Sequence, residues 1–326
     1  MCYIGMSPWG DNMAKVRISI VEYLNTAPLV WGFTNGPLRE RYHLSFTVPS
    51  LCAEALRSGQ ADIAIIPAIE YQRMEGVVAL PAMAIAAKGE VRSIVVIAKK
   101  PIGQARRVAL DRSSRSSTAL VRLLCAGRWG ISPEFIEMEP DPAAMLSQAD
   151  AALLIGDPAL RVTLKAEALM SKLPSSEICC GGDPGEQPVP GVDTLFLYDV
   201  AYQWHEMTGR PCVLALWVAR REAATPEVVA DFLASRDYGM ARIVEIAEDA
   251  AQQLGLPALA LERYLRENID FSLDAENRAG LELYFERCAE AGLIPRARPL
   301  ELAAAPGDAG VALHDLPRAQ AATQQC

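Results

Sequence analysis

The apolar positions of this chain form short runs that are separated by polar turns and amphipathic stretches. From Val16 onward, the run RISIV is followed by a polar turn at 23–26 and by a helix-like stretch that begins near Pro28. The same order recurs in LSFTV, CAEALRSG and DIAIIP. Apolar runs of this length that alternate with helical periodicity are typical of βαβ units. The pattern therefore predicts an α/β fold.

Two series of such units follow one another along the chain. The first ends near Lys99, because a proline and a glycine interrupt the pattern directly afterwards. The second contains RVALD, ALVRLLCAGRW and AALLIG, and the apolar run CVLALWVA after it is interpreted as a return to the first series. We therefore expect one lobe at 16–99 and 212–295 and a second lobe at 100–211, joined by two crossings that form a hinge.

The two ends of the chain differ from the rest. Residues 1–15 and 296–326 carry little hydrophobic periodicity, and we expect them to be mobile tails. The amino terminus lacks the charged start and apolar core of a secretory signal, and no apolar run reaches the roughly 18 residues of a membrane span. The sequence therefore predicts a cytoplasmic protein without a membrane partner.

Charge and cysteine usage exclude several classes of function. The formal net charge is -9 and no basic block interrupts it, so we expect no nucleic-acid partner. The eight cysteines include no CxxC pair, which argues against a metal site of the zinc type and favours reduced thiols. The motifs GxGxxG, GxxxxGK[ST], HExxH and GxSxG are absent. These absences argue against nucleotide and metalloprotease chemistry.

Polar turns follow the first strand of each predicted lobe. RISIVEY leads into Asn25 and Thr26, and RVALD leads into a run of hydroxyl side chains with one arginine at 113–118. Open parallel sheets bind ligands beyond the carboxyl ends of their strands, where helix amino termini present free N–H groups. The run at 113–118 has more hydroxyl groups than one helix cap requires, although capping alone remains an alternative. We therefore expect a cleft for a small anion that carries carboxylates.

Other polar positions allow two interpretations each. Ser93 stands in VRSIVV, where a branched apolar residue would pack better, so it either faces a polar cleft or bonds neighbouring backbone. Asn25 either satisfies its own turn or contacts a ligand. Ser50 is a candidate N-cap, and the pair Gly156 and Asp157 closes a strand, with Asp157 at least an N-cap. The three histidines are scattered along the chain, and none is placed like an obligatory base.

The stretches RISIVEYLNTAPLVWGF, VPSLCAEALRSGQADIAIIPAIEY, VRSIVVIAKKPI, VALDRSSRSSTALVRLLC and LLIGDPAL resemble, in this order, the chorismate dehydratases of the futalosine route of menaquinone biosynthesis. The likeness covers about residues 16–295. It implies a two-lobed fold like that of the type II periplasmic solute-binding proteins, in which each lobe is a mixed sheet flanked by helices and the ligand cleft lies at a two-strand hinge. It also implies conversion of chorismate to 3-[(1-carboxyvinyl)oxy]benzoate by loss of water, without a cofactor.

The resemblance also implies roles for individual residues. The asparagine of the YLNT turn and the serine of the RSI strand are linked to catalysis in that family, which implies catalytic roles for Asn25 and Ser93. The serine/threonine run that contacts substrate in the family matches Ser114, Ser116 and Ser117. From their places beside the strand ends, we also expect substrate contacts from Thr26, Ser50, Gly156 and Asp157. Since no strong base is evident among these residues, the enolpyruvyl carboxylate of the substrate is expected to remove the proton, as the family resemblance suggests.

Three other functions remain open from the sequence. The sister enzyme that makes 1,4-dihydroxy-6-naphthoate shares the fold but uses a histidine base in its second lobe, and residues 101–204 contain no histidine. A non-catalytic small-anion binding protein would have the same two-lobed plan, but the missing export signal argues against it. A cytosolic ligand-sensing domain is the third. The sequence is compatible with a monomer or a homodimer.

Overall fold

Two β-sheets with flanking helices organise the fold. The computed structural model describes residues 15–170, 187–189 and 195–305. In chain order the strands are β1 Arg17–Val21, β2 His43–Thr47, β3 Ile63–Pro67, β4 Val77–Ala87, β5 Ile94–Ala98, β6 Arg107–Asp111, β7 Glu134–Met138, β8 Ala151–Ile155, β9 Gln187–Val189, β10 Leu195–Asp199 and β11 Cys212–Arg220. The helices are α1 Ala27–Thr34, α2 Pro49–Ser58, α3 Ala68–Tyr71, α4 Ser116–Gly127, α5 Pro142–Gln148, α6 Gly156–Met170, α7 Val200–Thr208, α8 Pro226–Met240, α9 Ile243–Leu254, α10 Ala258–Arg263 and α11 Ala275–Glu290. Short 3₁₀ turns occupy Leu24–Thr26, Ile102–Gln104 and Arg221–Ala223, and one π-helical turn occupies Tyr264–Asn268.

Both sheets are mixed and share the same local order. The first sheet has the order β2-β1-β3-β11-β4, with β1 parallel to β2 and β3 and with β11 antiparallel to β3 and β4. The second has the order β7-β6-β8-β5-β10-β9, with β6 parallel to β7 and β8 and with β5 antiparallel to β8 and β10. In each lobe the parallel strands end at one edge of the sheet, where ligands bind in such folds. The prediction of a two-lobed α/β fold with mixed sheets is confirmed.

Helices cover both faces of the second sheet, which explains its continuous apolar strands. All residues of β5 and β8 are buried, and such strands lack the alternation of a strand with one solvent face. Consecutive β8 residues enter different hydrophobic clusters, because Leu153 packs with the larger cluster and Leu154 with the smaller one. Within the described part of the chain, no helix combines the length and apolarity needed to span a membrane.

The chain crosses between the sheets earlier than the sequence predicts. β5 bonds to β8 and β10 in the second sheet, so the first crossing lies at 88–93 and the predicted boundary near Lys99 is wrong. The error has a physical reason. β5 is as apolar as the strand before it, and its own sequence does not show which sheet it joins. The return crossing lies at 209–211, before β11 of the first sheet.

Residues 296–305 are part of the folded chain, which corrects the prediction of a tail that begins at 296. The N–H of Ala303 bonds the carbonyl of Ala79 at 2.8 Å, and the N–H of Ala79 bonds the carbonyl of Glu301 at 2.9 Å. Since Ala79 belongs to β4, the edge strand of the first sheet, this segment covers that edge through backbone bonds. Apart from Lys15, the remainder of both predicted tails lies outside the described residues.

Candidate active site

A cavity lies between the two lobes, beyond the carboxyl ends of the parallel strands. The space inside it, including the part open to solvent, is about 460 Å³. The first lobe contributes Val21, Tyr23, Asn25, Pro49, Pro67, Ile85, Leu214 and Ala215 to the walls. The second contributes Ile94, Ser114, Ser116, Ser117, Ile155 and Gly156. Five of the residues expected at the site, Asn25, Ser114, Ser116, Ser117 and Gly156, therefore surround one cavity.

The serines around the start of α4 offer hydrogen-bond donors at this cavity. Within the described chain, neither Ser114 nor Ser117 uses its hydroxyl group in a hydrogen bond to another residue. The hydroxyl oxygen of Ser116 accepts the N–H of Ile69 at 3.2 Å, which leaves its own proton available. The first turn of an α-helix also has unpaired N–H groups and a positive partial charge. This combination suits a carboxylate.

Asn25 and Ser93 meet through a tyrosine that the sequence analysis did not identify. Ser93 is fully buried and directly precedes β5, rather than lying within the strand as its pattern indicates. The hydroxyl of Tyr264 donates to the Ser93 hydroxyl at 2.8 Å and also hydrogen-bonds the Asn25 side chain. The three side chains form one connected network, because Tyr264 bonds both Asn25, in the turn after β1, and Ser93, in the crossing segment before β5.

Tyr264 is held in its neutral form. Burial is the main reason that the pKa of its hydroxyl is raised above the ordinary range, and the nearby carboxylates Asp157 and Asp199 act in the same direction. A protonated phenol has one proton to donate, and here that proton points to the oxygen of Ser93. Ser93 itself is fully buried and is not among the residues that line the cavity, so of the three side chains only Asn25 forms part of the wall. Tyr264 begins the π-helical turn, a feature that is often found at functional sites.

The segment that carries Ser93 is fixed by a buried aspartate. Arg92 has a φ of +62°, a conformation that non-glycine residues rarely adopt. The carboxylate of Asp199 accepts the N–H of Val91 at 3.0 Å and that of Arg92 at 2.6 Å, and the Thr163 hydroxyl donates to the Arg92 carbonyl at 2.8 Å. These bonds hold the turn in place and so determine the position of Ser93.

Backbone and ring contacts bring the two lobes together around the cavity. The ring of Tyr23 in the first lobe packs on Gly156 in the second, and its hydroxyl hydrogen-bonds Ser113. Burial raises the pKa of this hydroxyl to about 12, so Tyr23 is neutral at physiological pH. The N–H of Ser50 donates to the carbonyl of Ser113 at 3.1 Å. The structure is therefore in a closed arrangement of the lobes.

Three of the expected substrate-binding residues do not line the cavity. Thr26 is buried in its turn, where its hydroxyl donates to the side-chain amide oxygen (Oδ1) of Asn25 at 3.4 Å. Ser50 is the second residue of α2 rather than its N-cap, because the helix already begins at Pro49, whose missing N–H is no loss there. Asp157 accepts the N–H of Leu24 at 3.0 Å and so links the lobes. Burial raises the pKa of this carboxyl to about 6.

The cavity provides neutral donors rather than charged groups. Among the lining residues that the structure describes, Tyr23 is the only titratable one, and its hydroxyl is neutral. Among residues 15–170, 187–189 and 195–305, no group of three or more His, Cys, Asp or Glu side chains is placed to hold a metal ion. The described cysteines Cys52, Cys125, Cys212 and Cys288 are free and buried. The arrangement can therefore orient a small carboxylate-bearing molecule and exclude water from it.

Comparison with known proteins identifies sequence relatives over most of the chain. The family described as menaquinone biosynthesis matches residues 16–290. A curated relative, a chorismate dehydratase of Thermus thermophilus, is 30% identical over 277 residues, which cover 84% of this chain and 95% of the relative.

Solved structures show where the fold recurs. A protein of Archaeoglobus fulgidus known from its X-ray crystal structure matches with a TM-score of 0.65 and 19% identity, over 87% of this chain and 100% of that one. The periplasmic aliphatic sulphonate binding protein of Escherichia coli matches with a TM-score of 0.54 and 17% identity, over 88% of this chain and 96% of that one. At these identities the likeness shows the fold alone, and that fold is the one expected from the sequence.

Proposed function

The chain belongs to the menaquinone-biosynthesis family, and from this premise we propose that it is a chorismate dehydratase, a hydro-lyase that converts chorismate to 3-[(1-carboxyvinyl)oxy]benzoate. The relative of Thermus thermophilus carries the same activity in its name. The observation that carries the proposal is the cavity between the lobes, which has hydroxyl and N–H donors of α4 on one side and the network of Asn25, Ser93 and Tyr264 nearby.

The reaction suits a site without a charged base. A ring C–H bond and a ring C–OH bond break, the electron pair of the C–H bond forms the last double bond of the aromatic ring, and the proton and hydroxide leave as water. Aromatisation provides the driving force, so the protein has mainly to orient the substrate and shield it from solvent. Because no carboxylate, imidazole or amine of the described residues lines the cavity, we assign removal of the proton to the enolpyruvyl carboxylate of the substrate itself.

The donors around α4 are assigned to a carboxylate of the substrate. Ser116 and Ser117 with the free N–H groups of the helix bind its oxygens, and Ser114 adds a hydroxyl from the preceding turn. Gly156 leaves room for Tyr23 at the opposite wall. Thr26, Ser50 and Asp157 are assigned to the frame of the site, since they contact other residues rather than the cavity.

Asn25 and Ser93 are assigned to the reacting end of the substrate. Tyr264 donates to Ser93, and this leaves the Ser93 proton to be directed at the departing hydroxyl group. Such a donor stabilises the charge that develops as the C–O bond breaks. Tyr264 is then a positioning residue that sets which way the Ser93 proton points.

The decisive experiment incubates the purified protein with chorismate and follows an aromatic product that is lighter by one water by mass spectrometry. Asn25→Ala and Ser93→Ala should each lower kcat by about 10²–10³-fold, as loss of one transition-state donor does. Ser147→Ala is a matched control, because Ser147 is exposed and bonds only the carbonyl of Ala144 in its own helix. It should keep the activity of the unsubstituted protein.

Three results would contradict the proposal in different ways. Tight binding of chorismate without an aromatic product would favour a non-catalytic binding protein, whose fold is shared. Near-normal turnover by both Asn25→Ala and Ser93→Ala would keep the activity and reject the roles of these residues. Formation of 1,4-dihydroxy-6-naphthoate from its own precursor, with chorismate left intact, would favour the sister enzyme.

A further inference from the structure

A groove lined with arginines lies next to the cavity. Four arginines and one glutamate, Arg73, Arg112, Arg115, Arg122 and Glu137, are among its lining residues, and its empty space is about 700 Å³. Ser114 lines both this groove and the cavity. The formal net charge of the chain is -9, so a cluster of arginines is unusual on its surface. None of these arginines lines the cavity itself.

Two of these arginines lie on one side of α4. Arg115 is the N-cap of α4, and Arg122 follows it by seven positions, which is about two helical turns. The guanidinium of Arg115 lies 3.9 Å from the carboxylate of Glu70. That carboxylate is already bonded to Arg57 and Arg73, so it neutralises little of the charge on Arg115.

Among the described residues, Arg122 has no acidic partner. Its guanidinium packs over the ring of Phe135 at 4.4 Å from the centroid, and no ion pair links it to a carboxylate of the described residues. Neither Arg115 nor Arg122 donates a side-chain hydrogen bond to another described residue. Arg112 differs, because it is paired with Glu139 at 2.5 Å. The donors of Arg115 and Arg122 are therefore free to bind an anion.

We propose that Arg115 and Arg122 form an anion-capture site that takes the carboxylates of a small dicarboxylate before it enters the cavity. The inference rests on the proposed function, since it names the route by which that substrate arrives. Ser114 connects the capture site to the cavity. A patch of one sign beside a cleft raises encounter rates by roughly 10–10³-fold, and this effect depends on ionic strength.

The test measures kcat/KM for chorismate with the double variant Arg115→Gln and Arg122→Gln at ionic strengths of about 0.01 M and about 1 M, where the Debye length is roughly 30 Å and 3 Å. At low ionic strength the kcat/KM of the double variant should be at least about tenfold lower than that of the unsubstituted protein. Its kcat should change little. At high ionic strength the two proteins should converge, because salt screens the capture site in the unsubstituted protein.

A matched control separates the local effect from the change in net charge. Arg263→Gln with Arg287→Gln removes the same two charges from exposed positions on α10 and α11, where each arginine is paired with a glutamate of the following turn. This control should keep the kcat/KM and the salt dependence of the unsubstituted protein. An equal loss in both double variants, or no loss in the first, would overturn the capture site.

A binding measurement keeps this inference separate from the proposed function. Isophthalate, a benzene dicarboxylate, is titrated into the unsubstituted protein and both double variants by calorimetry at the two ionic strengths. Weaker binding that is confined to the Arg115 and Arg122 variant at low salt supports the capture site even if chorismate gives no aromatic product. Equal binding by all three proteins would reject the capture site even if the dehydratase activity is found.

Discussion

The ring of Tyr23 lies so close to the backbone of Gly156 that a Cβ on this glycine would be 2.6 Å from the ring carbons. Tyr23 follows the first strand of one lobe, and Gly156 begins α6 in the other. The φ of Gly156 is +62°, which an L side chain rarely adopts. The missing side chain therefore serves both the local backbone and the closing of the lobes around the cavity.

Gly156→Ala should for this reason impair turnover as well as stability. The methyl group would push the Tyr23 ring away and hold the lobes apart, and a misplacement of about 1 Å can lower the rate by about 10²-fold. Gly130→Ala is a matched control, because Gly130 has a φ of +63° but no atom within 4 Å of its Cβ position. Both variants should lose about 1–2 kcal/mol of unfolding free energy to backbone strain. Equal kcat in the two variants would show that the contact is not required for catalysis.

Tyr264→Phe should lower kcat while leaving the fold intact. The substitution removes the donor to Ser93, so the Ser93 proton is no longer directed, and a loss of about 10²-fold is expected from removing such an interaction. The cost in stability should be about 1–3 kcal/mol, because the hydrogen bonds to Ser93 and Asn25 are both lost. Steady-state kinetics with chorismate and thermal unfolding measure the two effects.

Tyr71→Phe provides the comparison for Tyr264→Phe. Tyr71 is also fully buried, but its hydroxyl accepts the N–H of Glu301 at 2.8 Å, away from the cavity. Tyr71→Phe should lose similar stability and keep its kcat. If Tyr264→Phe also keeps its kcat, the tyrosine has no part in positioning Ser93.

The sequence allowed part of the site to be predicted because the relevant chemistry is local. Asn25 and the serines around α4 stand where an apolar strand ends and a helix begins, and this order can be read from neighbouring letters. Tyr264 could not be found in this way, since it lies 171 positions from Ser93. In an amphipathic segment a tyrosine is indistinguishable from an ordinary core residue.

The two corrections to the fold have related causes. The strand Ile94–Ala98 is apolar throughout, and hydrophobic periodicity identifies a strand without identifying its partners. Residues 296–305 attach to the edge strand through backbone bonds such as that of Ala303 to Ala79, which leave no trace in side-chain patterning. In both cases the placement of the segment depends on backbone pairing with strands that are distant in the chain, and local sequence patterns do not show such pairing.

Asp199→Ala should weaken both the fold and the reaction. Asp199 accepts the N–H groups of Val91, Arg92 and Tyr202, and its loss would leave one buried and two partly buried donors unpaired, at a cost of about 3 kcal/mol. The strained turn at Arg92 would relax and Ser93 would move, so kcat should fall as well. Denaturant unfolding and chorismate turnover measure the two effects.

The matched control for Asp199→Ala is Asp141→Ala. Asp141 is likewise an N-cap and accepts the N–H groups of Ala143 and Ala144, but it is exposed and far along the chain from the crossings. Its loss should cost about 1 kcal/mol, the usual value of a cap, and should leave kcat unchanged. An unchanged kcat in Asp199→Ala would show that Ser93 does not depend on this carboxylate.

The carboxyl of Asp157 should make stability depend on pH. Burial raises its pKa to about 6 from the ordinary value of 3.8, although the N–H of Leu24 opposes the shift. The folded state therefore binds more protons than the unfolded state between these two values. It follows that this group lowers the free energy of unfolding as the pH rises through that interval, and that the loss is complete above about pH 6.

Asp157→Asn keeps an acceptor for the Leu24 N–H and removes the titration, so it isolates this contribution. Relative to the unsubstituted protein, the variant should gain stability as the pH rises from about 4 to about 7, by up to about 3 kcal/mol. Asp62→Asn should behave in the opposite way, because the bond to Arg17 lowers the pKa of the Asp62 carboxyl and the pair stabilises the fold only while that carboxyl is ionised. Urea unfolding at a series of pH values measures both differences. A constant difference between Asp157→Asn and the unsubstituted protein would mean that the Asp157 carboxyl is not desolvated where the lobes meet.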